Sequence, residues 1–120
     1  MLNHLQPSPI APLRVVLLGA TGFISRALTA RLAAARIPLR AVGRGEVDLT
    51  AAAAASALAG MLQSTDAVVM AAALTPDKGR DVATLMRNLR MAENVAAAIA
   101  ARPVAHLVYL SSDAVYGWDQ

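Results

Sequence analysis

Residues 14 to 25 run Arg14-Val15-Val16-Leu17-Leu18, then Gly19-Ala20-Thr21-Gly22, then Phe23-Ile24-Ser25. An apolar, β-branched run closed by glycine reads as a buried parallel strand. The segment after it reads as a helix, because Phe23, Ile24, Ala27, Leu28 and Leu32 recur at helical spacing while Arg26, Thr29 and Arg31 turn elsewhere. A glycine turn between strand and helix is suited to holding an anion. Glycine allows unusual dihedrals and lets a pyrophosphate approach the backbone amides closely. The first helical turn adds free N–H groups and a partial positive charge. The spacing is Gly19, Gly22 and then Ser25, where a third glycine is expected to let the helix press on the strand. The Cβ and hydroxyl of Ser25 are expected to loosen that packing slightly and leave the phosphate-facing backbone untouched.

The remaining chemistry-bearing residues cluster where other strands should end: Gly43 and Arg44, Ala71 to Leu74, and Ser111 to Asp113. Asp48, taken alone, suits a cap or a turn. Asn88 falls on an apolar helical stripe and needs a hydrogen-bond partner, either between helix and sheet or on a cofactor. His4 and His106 have no ligand-like neighbours, and there is no cysteine, which removes disulfides, thiolate metal sites and thiol nucleophiles and is consistent with the cytoplasm. No metal site is expected.

The elements that must position these residues follow from periodicity. The first strand is expected over 14–18 and the first helix over 22–35, broken by Ile37-Pro38. A second strand follows over 39–42, then a turn at Gly43-Arg44-Gly45 and a short extended piece over 46–49. Thr50 is the expected N-cap of an alanine-rich surface helix over 51–62. A buried strand over 66–72 leads through a loop carrying Pro76 to the longest helix, 81–101. Its apolar stripe is Val82, Leu85, Met86, Leu89, Ala92, Val95, Ala96 and Ile99. Arg102-Pro103 stops it before a last strand over 105–110. Strands alternating with helical crossovers predict an α/β fold, a Rossmann-like doubly wound parallel sheet of about five strands that is incomplete, with ligands at the carboxyl ends of the strands. Residues 1–12, with three prolines, read as a loose leader, and 13–120 as one domain.

Composition agrees. Hydrophobic residues make up 57% and aromatics 3%, which fits a helix-rich α/β domain. The net charge of +3 comes from scattered arginines, with neither the basic stripe nor the aromatics expected of a nucleic-acid binder. The alanine-rich run 51–62 is too short and too weakly apolar to span a membrane.

Gly-Ala-Thr-Gly-Phe-Ile at 19–24 resembles the extended short-chain dehydrogenase/reductase family, which includes the NAD-dependent epimerases and dehydratases of nucleotide sugars. Four further stretches resemble it in order and spacing. Asp48-Leu49 resembles the pair beside the adenine, and Val69-Met70-Ala71-Ala72 the fourth-strand ending whose small residues lie against the cofactor. Asn88 resembles the helical asparagine near the nicotinamide ribose. Ser111-Ser112-Asp113-Ala114-Val115-Tyr116-Gly117 resembles the signature closing the fifth strand. The resemblance implies a dinucleotide site built from Gly19, Thr21, Gly22, Phe23, Ile24, Arg44, Asp48, Leu49, Met70, Ala71, Ala72, Asn88 and Ser111. It implies Ser112 bonding the substrate hydroxyl or carbonyl and Asp113 at a general-acid position. Ala114 stands where dehydratases carry glutamate, which counts against dehydration.

NAD-preferring relatives carry an acidic residue after the second strand; Arg44 there favours NADP over NAD, since a guanidinium pairs bidentately with a 2′-phosphate. The family's proton donor is a tyrosine with a lysine four residues later, the lysine lowering the tyrosine's pKa. Here Tyr109 is followed at that spacing by Asp113, Tyr116 by Gln120, and the sole lysine is Lys78. The expectation is therefore the cofactor-binding N-terminal part of a longer nucleotide-sugar oxidoreductase, inactive alone, with a nucleotide sugar as the parent's substrate and a homodimer allowed. The alternative is a non-catalytic NAD(P)-binding or sensor module.

Overall fold

The computed structural model describes residues 8–111. In order they form β1 (Arg14–Leu18), α1 (Phe23–Ala34), β2 (Leu39–Val42), α2 (Ala54–Ala59), β3 (Asp66–Met70), α3 (Val82–Ala101) and β4 (His106–Tyr109). The strands pair in parallel in the order β2-β1-β3-β4. Each parallel connection must cross over a sheet face, so the helices between strands are a consequence of the pairing.

The α/β Rossmann-like expectation holds, with four strands among the described residues instead of about five. The 46–49 piece forms no strand. Val47 and Leu49 turn inward instead and join the core, each less than 8% exposed. Most of the core lies on one side of the sheet, where Val16, Leu18, Val42, Val68 and Met70 meet Leu58 and Leu62 from the α2 region and Met91, Val95 and Ala98 from α3.

Three further expectations are corrected by packing. The alanine-rich helix is only 54–59, capped by Ala53 instead of Thr50, and it is not a surface helix: Ala54 and Leu58 are buried. In α1 the buried positions are Ser25 and Leu32, with Leu28 and Thr29 half-buried, while Phe23, Ile24 and Ala27 are exposed. Ser25, bonded to the carbonyl that follows β1, faces inward, so the buried face of α1 is not the one its large residues define.

The long helix departs most from its hydrophobic pattern. It buries Thr84, Met91, Val95 and Ala98, whereas Val82, Leu85, Met86 and Leu89 are all more than half exposed. Length is the reason. Its 20 residues span about 30 Å, whereas the five residues of β3 span about 16 Å. The first turns therefore overhang the sheet.

The opposite pole is held by one ion pair. Arg14 Nε and Nη2 donate to the Asp66 carboxylate at 2.8 and 2.7 Å, joining the first residues of β1 and β3. Asp66 also accepts from Gln63 N–H, and Arg14 donates to the Met61 carbonyl. No helix of the described residues is long and apolar enough to cross a membrane.

Candidate dinucleotide site

The pairing register makes the carboxyl ends level: Leu18 lies opposite Val42 and Met70, and Met70 opposite Tyr109. Gly19, Gly43, Ala71 and Leu110 thus leave the sheet side by side. Strand order reverses between β1 and β3, so the crevice that accepts ligands in such sheets opens between Gly19 and Ala71.

Gly19 has φ +94°, and a Cβ built on it would lie 2.8 Å from both the Ala72 N and Cα. Both the conformation and the closeness of the Ala72 backbone require glycine. Its N–H donates to the Val42 carbonyl at 3.1 Å, tying the turn to β2. Its carbonyl accepts from the Ser25 hydroxyl. The Ser25 hydroxyl also does what a third glycine could not: the serine is 1% exposed and closes the corner with this hydrogen bond.

Gly22 is the N-cap of α1, with extended dihedrals and no side-chain cap. The first N–H groups of a helix have no partner within it, so this turn offers donors and a positive dipole end beside the crevice. A cradle that only glycine permits, next to an uncapped helix start, fits a pyrophosphate. Thr21 and Gly22 are exposed, and Phe23 and Ile24 stand out at 81% and 57% exposure at the mouth.

On the β2 side, Arg44 is exposed and its Nε lies 3.8 Å from Asp48 Oδ2. Asp48 Oδ1 accepts from both the hydroxyl and the N–H of Thr50, at 2.6 and 3.0 Å. Those two bonds, with the Arg44 charge behind them, hold the Asp48 carboxyl below the usual carboxylate range. Arg40 on β2 pairs with Glu46, closing the same turn.

The other sequence-predicted residues are placed as follows. The side chains of Leu49 and Met70 lie in the core, so those residues present only backbone toward a ligand. Ala71 and Ala72 are half-buried beside Gly19. Asn88 holds both backbone groups of Leu74, accepting from its N–H at 2.8 Å and donating to its carbonyl at 3.1 Å, so its amide fixes the loop after β3. Ser111 is exposed, two residues beyond Tyr109, the last residue of β4. Ser112 and Asp113 lie outside the described residues.

The residue that sequence reasoning missed is Asn94, whose amide donates to the carbonyls of Leu49 and Ala51 at 2.7 and 3.0 Å. It holds the turn that carries Asp48. An amide beside the buried positions Met91 and Val95 was the available signal, since such a group needs a partner.

The profile of the NAD-dependent epimerase/dehydratase family matches residues 15–120. The chain belongs to this family. No match was found among curated proteins. Among solved structures, the GDP-L-fucose synthetase from Naegleria fowleri is 20% identical, with a TM-score of 0.73 over 92% of this chain and 34% of that one. The GDP-mannoheptose C4 reductase from Campylobacter jejuni, with NADP bound, is 20% identical at a TM-score of 0.64, covering 85% and 33%. A short-chain dehydrogenase/reductase superfamily protein from Agrobacterium tumefaciens, with bound NAD, is 22% identical at 0.64, covering 87% and 34%. This family member thus spans about a third of the length of these proteins, and at such identities the likeness is one of fold.

Proposed function

We propose that the chain is the NAD(P)-binding part of an oxidoreductase that acts on nucleotide sugars by epimerase, reductase or dehydratase chemistry, with NADP preferred. The observation that carries this reading is the corner at the strand-order reversal, where Gly19 abuts the Ala72 backbone and the uncapped start of α1 faces outward. The backbone of residues 19–24 would hold the pyrophosphate and Arg44 the 2′-phosphate. Asp48 would lie on the adenine side, and Ala71, Ala72 and Ser111 would flank the crevice. The nicotinamide of the bound dinucleotide supplies a site that accepts or donates hydride. On the family resemblance, Ser112 orients the substrate hydroxyl or carbonyl and Asp113 stands at the general-acid position. These 120 residues hold no tyrosine with a lysine four positions later. Binding without turnover is therefore the expected behaviour of this chain alone.

Calorimetric titration tests the reading. NADP+ is expected to bind more tightly than NAD+, and adenosine 2′,5′-bisphosphate to compete for the site. Arg44→Ala should weaken NADP+ by about tenfold, the scale of a hydrogen bond to a charged group, and leave NAD+ nearly unchanged. Absence of binding by either dinucleotide would overturn the proposed function, and equal affinities would remove the role of Arg44. Hydride transfer by the isolated chain, followed through nicotinamide absorbance with a sugar nucleotide present, would refute the assignment of proton transfer to residues elsewhere.

A further inference from the structure

The turn after β2 carries its own anion against the one cation that a 2′-phosphate would need. Arg44 is 80% exposed in its side chain, and Asp48 faces it from one helical turn's sequence distance. Among the described residues Arg44 makes no hydrogen bond, so the 3.8 Å approach to Asp48 Oδ2 is its sole ionic partner there. The other acid of the turn, Glu46, is engaged by Arg40. Asp48 is not free to swing away. Thr50 grips Oδ1 through two hydrogen bonds, and Asn94 anchors the carbonyls of Leu49 and Ala51 on either side of Thr50. The carboxylate is thus the anchored member of the pair and Arg44 the exposed one.

Resting on the reading of Arg44 as the 2′-phosphate group, we propose that Asp48 is a specificity-setting residue that competes with the 2′-phosphate for Arg44 and so limits the preference for NADP over NAD. A phosphate that engages the guanidinium must draw it from Asp48 or share it with a carboxylate of like sign. NAD, lacking that phosphate, meets no such competition. The carboxyl remains ionised throughout the neutral range, because the Thr50 hydroxyl and N–H, with Arg44, favour its charged form.

The test is Asp48→Asn, which keeps an oxygen to accept from Thr50 and removes only the charge. Its effect is read as the ratio of NADP+ to NAD+ affinity, so that a changed adenine contact, common to both dinucleotides, cancels. The pair is exposed and therefore weak, so the ratio is expected to rise only about two- to fivefold. Added salt should weaken NADP+ binding more steeply in the variant than in the wild type, because Arg44 then stands without its counter-charge. In an Arg44→Ala background the same substitution should change the ratio much less, since Asp48 acts mainly through Arg44. An unchanged or lower ratio in Asp48→Asn, with a wild type that prefers NADP+ through Arg44, overturns this inference alone. A gain of undiminished size in the Arg44→Ala background overturns it as well. A wild type that binds neither dinucleotide removes both this inference and the binding function beneath it.

Discussion

At the scale of single residues, the corner depends on a hydroxyl at a position where the expected residue has no side chain. Ser25 is buried and donates to the Gly19 carbonyl, which joins the first turn of α1 to the end of β1. Ser25→Ala leaves that carbonyl without its partner, and is expected to cost about 1 kcal/mol of stability in urea unfolding and to weaken dinucleotide binding. Asp66 shows the opposite balance, a charge with no exposed side-chain surface. Burial pushes its carboxyl upward. The hydrogen bonds from Arg14 and Gln63 and the charge of Arg14 outweigh that and leave it below its ordinary value. A carboxyl whose pKa is lower folded than unfolded stabilises the fold fully above the unfolded value, about 3.9. The contribution disappears as pH falls through the folded value. Asp66→Asn should therefore lower stability at neutral pH by about 2 kcal/mol, the scale of losing charged hydrogen bonds to a partly exposed Arg14. It should also flatten the acid limb of a stability-against-pH curve; an unaltered acid limb would show that Asp66 does not govern it.

Among the elements, α1 ends in a way its sequence does not advertise. Arg36 has φ +56°, with its N–H bonded to the Ala33 carbonyl and the Ile37 N–H to the Leu32 carbonyl. This is a Schellman ending with arginine where glycine is preferred. Helix termination therefore precedes Ile37-Pro38, which only confirms the stop. Arg36→Gly should raise stability by about 0.5–1 kcal/mol, read as a higher denaturation midpoint, because the left-handed conformation is strained for any residue with a Cβ. The short α2 makes a second case. Its six residues could not hold as an isolated helix, and its place depends on Leu58, which has no exposed surface. Leu58→Ala should cost about 3 kcal/mol in the same measurement, through lost burial and the cavity left behind.

On the scale of the whole molecule, a short sheet carries a long helix. The overhanging turns of α3 leave Val82, Leu85, Met86 and Leu89 in the open, and Leu107 and Tyr109 of β4 are exposed as well. Apolar identity does not measure burial here. Replacing Leu85 and Leu89 together by glutamine is expected to shift the unfolding free energy by no more than about 1 kcal/mol, roughly 0.5 kcal/mol for each surface position. A loss comparable to that of Leu58→Ala would place these residues in the core and contradict the described packing. The level strand ends also act at this scale, because they bring Gly19, Gly43 and Ala71 into one row although the three are far apart in the chain.

The α/β class, the four paired strands, the glycine corner and the family were legible in the sequence because each is encoded locally. A β-branched run ending in glycine specifies strand and turn from adjacent residues, and the alternation of such runs with helices requires parallel pairing. The core was legible only in part, since hydrophobic periodicity shows which face of a helix is apolar and cannot tell how far the sheet extends beneath it. That is why the apolar stripe of α3 overran the core while Val47 and Leu49 entered it without forming a strand. Only the tertiary structure decided which polar groups meet. Ser25 with Gly19, Asn94 with Leu49 and Ala51, and Arg44 with a carboxylate held by Thr50 depend on the angle and distance at which separate segments are packed. Those angles are set by the whole core at once, and no single stretch of residues carries them.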